Sequence, residues 1–97
     1  MKNVTVVAVF EARPGQENEL RKVLAGLVQP TRKEPGCINY DLHVFADNPA
    51  KLLFHENWQS RELLDTHLQS AHLKAALARV HELCAAPPAV NFLEKIA

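Results

Sequence analysis

Gly36-Cys-Ile-Asn-Tyr-Asp-Leu-His43 and Phe54-His-Glu-Asn-Trp58-Gln-Ser60, followed by His67-Leu-Gln-Ser-Ala-His72, decide the reading of this chain. The first two stretches read as β-strands, and the third lies on the helical segment after them. Side chains two apart on a strand point the same way, so Phe54, Glu56 and Trp58 share one face. Two histidines then follow on the covering helix. Apolar walls with a few titratable groups are what a small-molecule pocket requires.

Outward from this segment, Val4-Thr-Val-Val-Ala-Val-Phe-Glu11 is β-branched and apolar at both parities. Such a strand is expected to be buried on both faces, one against helices and the other against a partner subunit. Arg13-Pro14-Gly15 ends it. A first helix starts near Gln16, with Glu17 and Glu19 at its positive end. Leu20, Val23, Leu24, Leu27, Val28 and Thr31 follow at helical spacing. Pro30 clashes with the carbonyl four residues back, so the helix kinks or ends early, its last turn reaching about Lys33. Glu34-Pro35-Gly36 is a turn.

The second strand spans Cys37 to Phe45 and the third Leu52 to Gln59; the loop Ala46–Ala50 makes them an antiparallel hairpin. Ser60 and Ser70 are good helix caps, so the second helix is split near Gln69–Ser70. Leu73, Leu77, Val80 and Cys84 form the stripe of its longer half. Ala85-Ala-Pro-Pro88 ends it, and Val90 to Ile96 reads as a fourth strand. The order βαββαβ defines an α+β, ferredoxin-like fold with an antiparallel sheet, in one domain over residues 1–97.

The chain has 97 residues, 47% of them hydrophobic, and its 11 basic and 11 acidic residues give no net charge. So many apolar residues on so small a body predict a homodimer. The absence of a concentrated basic patch argues against nucleic acid. No apolar run reaches the ~20 residues that span a bilayer. With no signal peptide ahead of the first strand and cysteines only at Cys37 and Cys84, a cytoplasmic protein with two free thiols is expected.

Trp58 is either a pocket wall or core, and one residue can be both. Glu56, an acid on an apolar strand, is paired, exposed, or shifted in pKa so that it serves as a base. His67 and His72 are natural acid–base groups near neutral pH. Five residues apart, they would diverge by about 140° on an unbroken helix, and the split at Ser70 removes that constraint. Asn39 either orients a substrate oxygen, satisfies a strand edge or contacts the partner subunit. Tyr40 packs with its hydroxyl toward a polar rim, and Phe54 contributes apolar wall. His43 and His55 would face each other if the hairpin centres near Pro49, but their spacing matches no zinc pattern, and no metal is expected. The sequence has no Gly-rich phosphate loop, Rossmann fingerprint, Gly-x-Ser-x-Gly or Cys-x-x-Cys.

Arg13-Pro14-Gly15, Glu34-Pro35-Gly36-Cys37 with Tyr40, Glu56-Asn57-Trp58 and His67 through His72-Leu73-Lys74, in this order, resemble the antibiotic biosynthesis monooxygenase (ABM) family. The resemblance implies a dimeric α/β barrel in which two ferredoxin-like sheets pack together, each with a pocket under its helices. It also implies cofactor-independent oxygenation of a small aromatic, with molecular oxygen as co-substrate. Phe54 and Leu64 stand where the anthrone-oxidising branch uses polar residues, so the bacterial quinol monooxygenase branch is the nearer likeness. Ala8, His67 and Leu77 stand where the haem-degrading branch has its Asn, Trp and haem-ligating His. The resemblance thus assigns Trp58 to the wall, His67 or His72 to proton removal, and Glu56 or Asn39 to orienting the substrate. Isomerisation or degradation of a small oxygenated signalling metabolite, or non-catalytic binding of hydrophobic metabolites, are the alternatives on the same fold.

Overall fold

The computed structural model describes residues 3–97. Strand β1 (Val4–Glu11) is followed by helices α1 (Glu17–Ala25) and α2 (Val28–Arg32). The hairpin β2 (Cys37–Phe45) and β3 (Asn48–Trp58), helices α3 (Arg61–Leu68) and α4 (Ala71–Leu83), and strand β4 (Ala89–Leu93) complete the chain. The sheet order is β2-β3-β1-β4, and every pairing is antiparallel. This is the ferredoxin-like α+β arrangement.

Pairing fixes which side chains meet the helices. Val6 lies opposite Glu56 and Ala8 opposite Phe54. Tyr40 lies opposite Glu56 from the other side. These residues, with Phe10, Leu52 and Trp58, are buried against Leu20, Leu24, Leu64, Leu73 and Val80 of the helices. The opposite parity of β1 (Thr5, Val7, Val9) is half-buried within the single chain, because all the helices cover the other face.

Pro30 interrupts the first helical segment upstream of itself. The carbonyl its ring would strike belongs to Gly26, and the chain leaves the α1 helix there and restarts at Val28. Pro30 then falls in the first turn of α2, where its missing N–H costs nothing. The hairpin turn is tighter than expected, because β3 begins at Asn48 and pairs with Phe45. Asn48 Oδ1 accepts from the Ala50 N–H at 3.1 Å and steadies this end of the hairpin. His43 lies opposite Leu53, and His55 opposite Asp41, so the two histidines are diagonal neighbours rather than a facing pair.

Ser60 and Ser70 cap α3 and α4, each side-chain oxygen accepting a backbone N–H three residues on. The inward stripe of α4 is Leu73, Ala76, Val80 and Leu83. Leu77 is 42% exposed. The fourth strand ends at Leu93, short of the predicted Ile96.

Candidate active site

A cavity of about 250 Å³ lies between the sheet and the helices. Its walls come from Val6, Ala8 and Phe10 of β1, Phe54 of β3, Tyr40 of β2 and Leu24, Leu64, Leu73 and Val80 of the helices. Leu77, Val90 and Phe92 also line it, and at 42%, 53% and 49% exposed they form its open side. Three ionisable groups reach this apolar space, Tyr40, Glu56 and His67.

Strand β3 places Glu56 at 5% exposure and Trp58 at 0%. The Trp58 Nε1–H donates to Glu56 Oε1 at 2.9 Å. Burial pushes the Glu56 carboxyl up to about 7; the Trp58 bond opposes that rise, and the nearby Glu34 charge adds to it. A carboxyl so placed exchanges its proton near neutrality.

His67 ends α3 at 2% exposure. Its ring stacks on Trp58 with centroids 4.7 Å apart and 29° between planes. Tyr40 meets it edge-on at 5.5 Å. Burial lowers the His67 pKa, and Glu34 counters in part. Tyr40 stacks on Phe54 at 4.4 Å, and burial, reinforced by the Glu56 charge, raises its phenol well above the ordinary range. It therefore presents a neutral ring.

Glu34 is the residue that sequence reasoning missed. Its Oε2 lies 2.8 Å from His67 Nδ1 and 2.8 Å from His72 Nε2. The split between α3 and α4 brings both imidazoles to the same carboxylate, their ring centroids 6.2 Å apart. In the sequence Glu34 is only the first residue of a Pro-Gly turn, 33 and 38 positions from its partners, and no local pattern marks it. The three atoms lie within 4.8 Å of one another, and two imidazoles with one carboxylate are a donor set that divalent metals use. Each contact here is already a full hydrogen bond, and we describe the cluster as a hydrogen-bonded network.

The remaining expected site residues fall elsewhere. Trp58 does not line the cavity; it is fully buried and contacts two residues that do, Glu56 and His67. His72 does not reach the cavity; its side chain is 30% exposed and joins the site through Glu34. Asn39 pairs with Asn57 on the outer parity of the sheet. There it accepts from Asn57 Nδ2 at 2.8 Å and donates to Asp41 Oδ2 at 3.0 Å. A β-bulge between Cys37 and Asn39 sets this register, and Asn39 does not line the cavity. Phe54 and Tyr40 line the cavity.

A ferredoxin-like sheet with its helices on one face, enclosing an apolar cavity with buried acid–base groups at its wall, places the chain in the α+β class. The family model for antibiotic biosynthesis monooxygenase matches residues 3–79, and the chain belongs to that family. It is 42% identical over 90 residues to "Putative monooxygenase Rv0793" of Mycobacterium tuberculosis, covering 93% of this chain and 88% of that one. The solved structure of Rv0793 superposes with a TM-score of 0.92 over 98% of this chain and 96% of that chain, at 39% identity. "Probable quinol monooxygenase YgiN" of Escherichia coli is 30% identical over 82 residues, 74% of this chain and 79% of that protein. PA3566 from Pseudomonas aeruginosa superposes at a TM-score of 0.94 and 27% identity, over 100% of this chain and 97% of that chain.

Proposed function

We propose that the protein is a cofactor-independent monooxygenase of a small quinol or polyphenol, with His67 as the base. The observation that carries this reading is a 2%-exposed histidine at the wall of an otherwise apolar cavity, one ring nitrogen tied to a carboxylate. A phenolic proton passes to the free nitrogen of His67. The electron-rich anion reduces dioxygen, one oxygen atom entering the ring and the other leaving as water. Quinol and O2 thus give hydroxyquinone and H2O, all four electrons that reduce O2 coming from the substrate. Glu56 holds a substrate oxygen through the carboxylate oxygen that Trp58 leaves free. The likeness to a quinol monooxygenase-named relative supports the substrate class.

The protein works as a homodimer in this reading. The sheet face away from the helices carries half-buried Val7, Val9 and Leu53 and exposed Leu93, an apolar surface that a second sheet would cover. The free thiols of Cys37 and Cys84 suit a reducing, cytoplasmic setting. Among the described residues, no helix is long and apolar enough to cross a membrane.

A second reading rests on Glu56. Two acid–base groups on one cavity also serve an isomerase, one removing a proton and the other returning it, without oxygen. Oxygen uptake by metal-stripped protein against a panel of quinols and anthrones separates the two. Uptake above autoxidation that His67→Ala abolishes supports the oxygenase. Turnover under anaerobic conditions supports the isomerase. Saturable quenching of Trp58 fluorescence with no turnover of any kind leaves a hydrophobic-metabolite binder.

A further inference from the structure

We propose that Glu34 is the positioning residue of this site, fixing His67 as the Nδ1–H tautomer so that Nε2 faces the cavity as a proton acceptor. The inference rests on the reading of His67 as the base.

A neutral imidazole carries one N–H and one lone pair, and the partner of one nitrogen decides the state of the other. His67 Nδ1 lies 2.8 Å from Glu34 Oε2. An ionised carboxylate only accepts, so Nδ1 carries the proton and Nε2 keeps its lone pair. His67 lines the cavity, and Nε2, across the ring from Nδ1, is the nitrogen left for a ligand. When Nε2 takes a proton, the resulting imidazolium stands next to the Glu34 charge, which stabilises it.

His72 works from the solvent side. Its Nε2 lies 2.8 Å from the same Oε2, and its side chain is 30% exposed where that of Glu34 is 14%. His72 thus occupies the solvent side of the Glu34 carboxylate, and His67 its cavity side.

The backbone makes this geometry rigid. Glu34 donates its N–H to Thr31 O at 3.0 Å and accepts from the Cys37 N–H at 3.3 Å. Gly36, at φ +84°, lets the turn press against Leu63, one helical turn before His67 on α3. Gln59 N–H closes onto Gly36 O at 2.9 Å. The turn that carries the carboxylate is thus packed onto the helix that carries the imidazole and tied to the end of the strand that carries Glu56 and Trp58. The other groups facing the His67 ring are Tyr40, Trp58 and His72.

The test needs no substrate. Long-range 1H–15N correlation of 15N-labelled protein, at a pH where the His67 ring is neutral, reads which nitrogen bears the proton. The wild type is expected to show His67 as Nδ1–H. Glu34→Ala is expected to convert it to the Nε2–H form that a free imidazole favours. Glu34→Gln, whose carbonyl still accepts, should keep Nδ1–H and serves as the folded control, and His72→Ala should leave the His67 tautomer unchanged. A wild-type His67 in the Nε2–H form overturns the proposal, as does a folded Glu34→Ala protein that retains Nδ1–H. With a substrate in hand, Glu34→Ala should lower kcat by about 10²-fold with little change in KM. The spectrum answers whether or not any quinol is oxidised, so failure of this assignment and failure of the oxygenase reading are distinguishable.

Discussion

Trp58 and Glu56, two residues apart on one strand, are joined by a 2.9 Å bond from the indole N–H to the carboxylate. Trp58 is fully buried, and its indole is the hydrogen-bond donor to the acid. Trp58→Phe removes that donor and leaves a buried acceptor unmet. We expect a loss of about 1–3 kcal/mol in denaturant unfolding. The Glu56 pKa should rise further, because the Trp58 bond is the group holding it down. A carboxyl infrared titration of the variant against wild type reads the shift, and an unchanged Glu56 titration would disprove the coupling.

Stability should depend on pH through Glu56 and His67 in opposite senses. Glu56 rises on folding from 4.5 to about 7, so its contribution is full below pH 4.5 and lost as pH climbs through 7, a cost of roughly 3 kcal/mol at alkaline pH. His67 has a lowered folded pKa, so its contribution is full above its ordinary value of 6.5 and lost as pH falls below it. Glu56→Gln should remove the first slope and leave the second. Urea unfolding across this range should therefore show the variant gaining on wild type as pH rises, and parallel curves would refute the Glu56 assignment.

Gly36 carries φ +84°, and a Cβ there would clash with Leu63 Cδ1 and lie 2.7 Å from its Cβ. Gly36→Ala should cost about 1–3 kcal/mol from backbone strain, with the clash added to it. Adding Leu63→Ala removes the contact with Cδ1 but keeps the one with Cβ and leaves the strain, so the clash is relieved in part and the double variant should lose less than the sum of the two single changes. Additive losses in thermal unfolding would show that the turn does not press on α3.

Ser70 caps α4 with an Oγ that accepts the Leu73 N–H, at the break that brings His72 to Glu34. Ser70→Ala is expected to cost about 1 kcal/mol, read by chemical denaturation. It should also loosen the His72–Glu34 bond, seen as a change in the His72 ring resonances. A stability loss with unchanged His72 signals would mean that the break is held by packing alone.

Much of this architecture was legible along the chain. The parity of Phe54, Glu56 and Trp58, the caps at Ser60 and Ser70 and the split between them are all signalled within a few residues of where they act. The effect of Pro30 was legible too, although the chain breaks at the carbonyl its ring would strike rather than at the proline. The stripe of α4 was less so, because burial depends on what covers a face and not on the face itself. Leu77 fits a helical stripe and still stands at the open side of the cavity.

The sequence by itself determined the order of the strands and helices, the inward face of β3 and the presence of acid–base residues near it, because period, capping and turn chemistry are properties of neighbouring residues. Only the tertiary structure decided what those residues do to one another. It turned Asn39 outward through a one-residue bulge, set Trp58 behind the site rather than in it, and gave His67 and His72 a shared partner in Glu34. A hydrogen bond across 33 positions has no local signature. It exists because a glycine turn, a helix and a strand end pack into one another, and the carboxylate is carried to where they meet.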